Sequence, residues 1–125
     1  MKKLLVVAAF TLSAVHPWPV MAAEQAAEDR IEQSTYQCER GVIVDATYIN
    51  TKDGSSFAVI NVENKLVPMR TSQSGSGALY IAIDKADSYR WHTKGDAAIL
   101  SYLDAAPGSA EKTLLSDCKA SDAEE

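Results

Sequence analysis

From Ser34 onward the chain is regularly punctuated: short runs rich in Val, Ile, Tyr, Phe and Thr recur about every ten residues, with turn-forming residues between them. Eight runs are readable, Ser34–Glu39, Val42–Asn50, Ser55–Glu63, Lys65–Thr71, Ala78–Ile83, Ser88–Thr93, Ala97–Asp104 and Lys112–Lys119. Gly41, "TKDG", Asn64, "SQSGSG", "DKAD", "KGD" and "AAPGSAE" separate them. No amphipathic helix of useful length interrupts the series, so the spacing predicts an antiparallel all-β domain. Asp53-Gly54 is the strongest hairpin signal, because glycine supplies the positive φ that a tight turn demands. Pro68 falls inside the fourth run and has no N–H to give to a ladder, which predicts an edge strand or a bulge there. The pattern alone leaves sandwich and barrel open, with the barrel favoured in one respect: closure removes exposed strand edges.

Ahead of the runs, Lys2 and Lys3 precede an uncharged stretch, Leu4–Val15, and the small-residue segment "PVMAAE". This is the three-part layout of a secretory signal, with cleavage expected after Ala22. The uncharged stretch is about 12 residues, short of the roughly 20 that span a bilayer, and no cysteine stands at the cleavage site to take a lipid. A free periplasmic protein without a membrane anchor is therefore expected. Cleavage would leave 103 of the 125 residues, enough for one domain.

Loss of the two signal lysines moves the net charge from −5 to −7. Most of that charge lies at the ends, so residues 23–33 read as a flexible segment and residues 120–125 as an acidic tail, flanking a domain over residues 34–119. Between Tyr36 and Lys119, ten acids face nine bases. A nearly neutral body with an acidic total argues against nucleic acid, whose binders present a basic face. The two cysteines, Cys38 and Cys118, nearly bracket the runs, and in an exported chain they predict one disulfide fastening the first strand to the last. Closing a loop of about 80 residues stabilises a fold by at most about 4–5 kcal/mol in the chain-entropy account.

Few groups could do chemistry. His92 is the one histidine left after the signal, and with the cysteines bonded no metal-ligand cluster can be assembled, so neither a metal nor a cofactor is expected. "SGSG" opens a predicted strand and lacks the helix N-terminus that would complete a phosphate cradle. Ser76 and Lys94 could make a Ser-Lys dyad only if the lysine were desolvated, whereas the "KGD" turn predicts an exposed one. Tyr80 and Trp91 could instead form part of a glycan- or small-ligand-binding surface.

Three segments, "TYQCERG", "SGSGALY" and "HTKGDAA", followed by a terminal "LSDC", resemble in order and approximate spacing the MliC/PliC family of bacterial inhibitors of c-type lysozyme. The likeness spans Tyr36 to Cys118 and is of the periplasmic type. It implies a small eight-stranded antiparallel β-barrel closed by the Cys38–Cys118 disulfide, a c-type lysozyme as protein partner, and no enzymatic activity. In that family a serine from an S-x-S-G-A-R-Y loop and a lysine from a K-G-D/E turn enter the lysozyme cleft and contact its catalytic carboxylates. By motif these are Ser76 and Lys94, with Gly77 and Tyr80 beside the first and Gly95 and Asp96 beside the second. Leu79 stands where the family usually has arginine and His92 where it usually has tryptophan, and the connection "IAIDKADS" is a few residues longer. An exposed edge or bulge near Pro68 would also suit a homodimer.

Overall fold

The computed structural model describes residues 28–121 together with positions 15 and 17; most of the expected signal segment and residues 122–125 lie outside the described residues. Eight strands follow one another: β1 (Arg30–Gln37), β2 (Ile43–Asn50), β3 (Ser56–Val62), β4 (Lys65–Ser72), β5 (Ala78–Ala82), β6 (Tyr89–Lys94), β7 (Ala97–Tyr102) and β8 (Lys112–Ala120). Each pairs antiparallel with the next, and β8 returns to β1 to close a barrel. A 3-10 turn, Glu39–Gly41, follows Cys38. Of the two architectures left open by the strand pattern, the closed one is therefore found, with the disulfide between Cys38 and Cys118.

Alternation explains the interior. Val44, Ala46 and Tyr48 on β2, Ala58, Ile60 and Val62 on β3, Val67 and Met69 on β4, and Tyr80 and Ala82 on β5 point inward at every second position. Trp91 is fully buried at the centre. Its ring meets Tyr36 edge to face at 5.0 Å, and its Nε1 donates to Tyr48 Oη at 2.8 Å. Tyr48 Oη in turn lies 2.7 Å from Tyr36 Oη, so the polar atoms of this aromatic cluster satisfy one another. Desolvation, aided by the Tyr36 hydroxyl, pushes the Tyr48 phenol far above its ordinary range.

Three strand details differ from expectation, each for a physical reason. β1 begins at Arg30, so residues 30–33 belong to the barrel wall: their side chains, Ile31 included, are exposed while β1 pairs with β2 from Arg30↔Asn50 to Gln37↔Ile43. Pro68 lies in β4, with a partner strand on each side, and pairs with Val59 in unshifted register. Its N and C=O face the same side of the strand, where its oxygen accepts from Ile83 N at 2.9 Å, just past the last β4–β5 pair, Met69↔Ala82. The missing N–H thus falls where the ladder has ended and costs little, and no β4 edge exists for a second copy to join. The irregularities lie in β8 instead, where the register against β7 shifts on both sides of Leu100↔Leu115. Asp117, at φ +53°, occupies one of these bulges, a left-handed position that aspartate tolerates.

The β1–β8 seam is short, with two register pairs, Tyr36↔Ala120 and Gln37↔Lys119. Cys118, directly after the bulge, is fully buried and bonds Cys38. A carboxylate oxygen of Glu39, in the 3-10 turn, accepts the Ser116 N–H at 3.1 Å. Ser121 N adds a bond to Thr35 O at 2.9 Å. Covalent, side-chain and further backbone bonds thereby supplement a ladder of two register pairs.

Candidate functional site

Two connections meet at one rim of the barrel. The β6–β7 hairpin turns on two residues, Gly95 and Asp96, between the paired Lys94 and Ala97. Of the two, only Gly95 has a positive φ, +61°, as a II′ hairpin turn requires of its first central residue. The turn is anchored from outside its own hairpin, because Asp96 O accepts the N–H of Ala120 at 2.8 Å. Lys94 is exposed, and among the described residues it has no ion pair. Asp96 therefore acts here through its backbone and not as a carboxylate partner for the lysine.

The β4–β5 connection, residues 73–77, closes onto that hairpin through Gly77. This glycine sits at φ +69°, and a Cβ on it would collide with the carbonyl oxygen of Thr93 and approach Lys94 Cβ to 3.2 Å. A hydrogen atom is thus the only side chain that lets the loop lie against residues 93 and 94. Ala78↔Thr93 is the first pair of the β5–β6 ladder, so the approach is continued by regular pairing below it. Ser76, one residue before Gly77, is exposed beside this contact. Within the loop, Ser74 Oγ donates to Ser76 O at 2.8 Å, and His92 Nε2 lies 3.1 Å from the same carbonyl and 3.2 Å from Ser74 Oγ.

The expected site residues accordingly separate into two groups. Ser76, Gly77, Lys94, Gly95 and Asp96 come together on the rim. Tyr80 does not join them on the surface: it is 6% exposed, it points into the barrel with its ring centroid 5.5 Å from that of Tyr48, and burial raises its phenol pKa. Its contribution to the rim is support from below.

A feature that strand-by-strand reading misses lies inside the same rim. Glu32, Ser34, Tyr36, Tyr48, Asn50, Tyr80, Thr93 and Gly95 line a polar hollow of about 270 Å³ at the barrel mouth. Its three tyrosines come from three strands and share inward-facing positions near one end. Alternation reveals that parity, but only closure of the barrel brings Tyr36, Tyr48 and Tyr80 together at one hollow. Trp91, expected with Tyr80 on a ligand-binding surface, is instead sealed in the core with its N–H engaged.

Comparison with known proteins identifies the family of the barrel. The family model described as membrane-bound lysozyme-inhibitor of c-type lysozyme, MliC, matches residues 36–108. Among solved structures, PliC-St, a periplasmic lysozyme inhibitor of c-type lysozyme from Salmonella typhimurium, is 35% identical in sequence with a TM-score of 0.63. The similarity covers 73% of this chain and 98% of that one. No curated protein sequence matches. With more than half of its length matched by the family model and the same barrel in a solved relative, this chain belongs to the MliC family.

Proposed function

We propose that this protein is a periplasmic inhibitor of c-type lysozyme that works by placing Lys94 and Ser76 in the enzyme's active-site cleft. The observation that carries the reading is the close approach of Gly77 to Thr93 and Lys94, which brings an exposed hydroxyl and an exposed ammonium onto one rim. Lysozyme cleaves with two carboxylates, one held neutral and one ionised, and its transition state develops positive charge on the sugar. An ammonium held at that position satisfies the ionised acid without offering a bond to cleave. A hydroxyl beside it supplies a donor to the same pair. Lys94 is mounted on backbone fixed by pairing and by the Asp96–Ala120 bond, and Ser76 on a loop seated against it through Gly77, which limits the conformational freedom lost on binding.

Lys94 lies in solvent, which leaves its ammonium hydrated and supports the inhibitor over a dyad base that must be desolvated. The alternative of a periplasmic glycan- or small-ligand-binding module has the tyrosine-lined hollow in its favour. Its aromatic faces, however, are packed against one another and offer no open platform. A cell-wall lysis assay decides among these readings. The inhibitor removes lysozyme activity in proportion to its molar amount, and lysis that continues unchanged with the protein in excess overturns the proposal.

A further inference from the structure

The loop that carries Ser76 has one tie that neither the backbone ladder nor its own residues provide, and it comes from His92. We infer that His92 is a positioning residue for the lysozyme-facing loop: its ring N–H clamps the Ser74–Ser76 segment against β6 and presets Ser76 beside Lys94. The consequence for inhibition rests on the function proposed above, whereas the clamp itself does not.

His92 sits on the outer face of β6, opposite Leu79 on β5 and Ile99 on β7. Neither neighbour has a polar side-chain atom to offer the loop. Among the described residues, no other side chain outside the loop hydrogen-bonds Ser74 or Ser76. The proton arrangement follows from the partners. Ser76 O can only accept, and it already takes the Ser74 hydroxyl at 2.8 Å. His92 Nε2, at 3.1 Å from that carbonyl, must therefore carry a hydrogen, which it shares with Ser74 Oγ at 3.2 Å. The tautomer protonated only on Nδ1 would set a nitrogen lone pair against the carbonyl and open the clamp. Gly77 is seated against Thr93, whereas Gly75, on the other side of Ser76, has open space where a Cβ would stand, so without this tie the segment has that glycine's backbone freedom to lose when lysozyme binds.

Two substitutions test the clamp. His92→Phe keeps a ring of similar size on an exposed strand face and removes the donor, while His92→Gln keeps an N–H donor at nearly the same reach. In the free protein, 15N relaxation of residues 74–77 reads the loop directly, and the dispersion of the barrel amides confirms the fold. The expected result is that His92→Phe lowers the Gly75 and Gly77 order parameters from the rigid range, about 0.85, toward 0.6 or below, and that His92→Gln restores them. Inhibition should weaken about five- to tenfold in His92→Phe and recover in His92→Gln, as suits loss of one neutral hydrogen bond. A loop as ordered in His92→Phe as in the parent, or one as loose in His92→Gln as in His92→Phe, overturns the inference. Should the parent fail to inhibit lysozyme, the proposed function is refuted and the relaxation contrast alone decides the clamp.

Discussion

Three residues carry different parts of the account and fail in different ways. Replacing Lys94 by Ala removes a charged contact that, desolvated against carboxylates, is worth about 2–5 kcal/mol; the inhibition constant should rise from about 30-fold to several thousandfold with the melting temperature unchanged. Ser76→Ala removes a neutral donor and should cost about 1–2 kcal/mol in the same assay. Gly77→Ala is the informative contrast, because position 77 touches Thr93 and Lys94 whether or not lysozyme is present. It should lower stability by about 1–2 kcal/mol in urea unfolding as well as weaken inhibition, since alanine is strained at this φ and displaces the loop. Ser76 and Lys94 enter as a lysozyme-facing pair only through the family resemblance; by pattern alone they are polar residues in turns that could at most suggest a Ser-Lys dyad. Tyr80 was expected at the binding surface, although the alternation of β5 already turns it inward, whereas the loop's tie to His92 had no signal in the pattern because it depends on which side chain reaches across from the neighbouring strand.

At the level of strands, the pattern of apolar alternation and turn residues was enough to place all eight elements, since each strand has one buried face. It did not reveal where pairing departs from regularity. Pro68 is absorbed because a neighbouring ladder stops beside it, and the β8 bulges are set by how β8 registers against β7, a long-range pairing with no local signature. The β1–β8 seam is the element on which closure depends, with two register pairs and the disulfide. Replacing both Cys38 and Cys118 by Ser should reduce stability by about 2–4 kcal/mol in urea unfolding, and hydrogen exchange should show the β1 and β8 amides losing protection first. Because Asp96 O is bonded to Ala120 at the end of β8, the same variant should also weaken inhibition. The Tyr36–Tyr48–Trp91 cluster makes a separate prediction. The Tyr48 pKa is raised on folding, so the stability linked to it is intact below its unfolded value near 10 and is lost as pH rises beyond that. Alkaline urea titrations should show this loss. Tyr48→Phe should flatten it while costing about 1–3 kcal/mol at neutral pH, because the buried Trp91 N–H loses its acceptor.

Taken whole, the molecule is a stiff cylinder whose body is nearly neutral and whose acidity lies toward its chain ends. Charge at those ends steers a basic partner only weakly once salt screens it beyond roughly 8–10 Å, so the association rate should fall modestly between low and physiological salt. On the proposed function, inhibition would come from the rim itself, where the β6–β7 turn carries Lys94 and the loop seated by Gly77 carries Ser76. A crystal structure of the complex with a c-type lysozyme tests that claim most directly. Lys94 Nζ should lie within salt-bridge distance, about 4 Å or less, of the enzyme's catalytic carboxylates, with Ser76 Oγ beside them. A complex in which Lys94 points into solvent, or in which another face of the barrel covers the cleft, would contradict it.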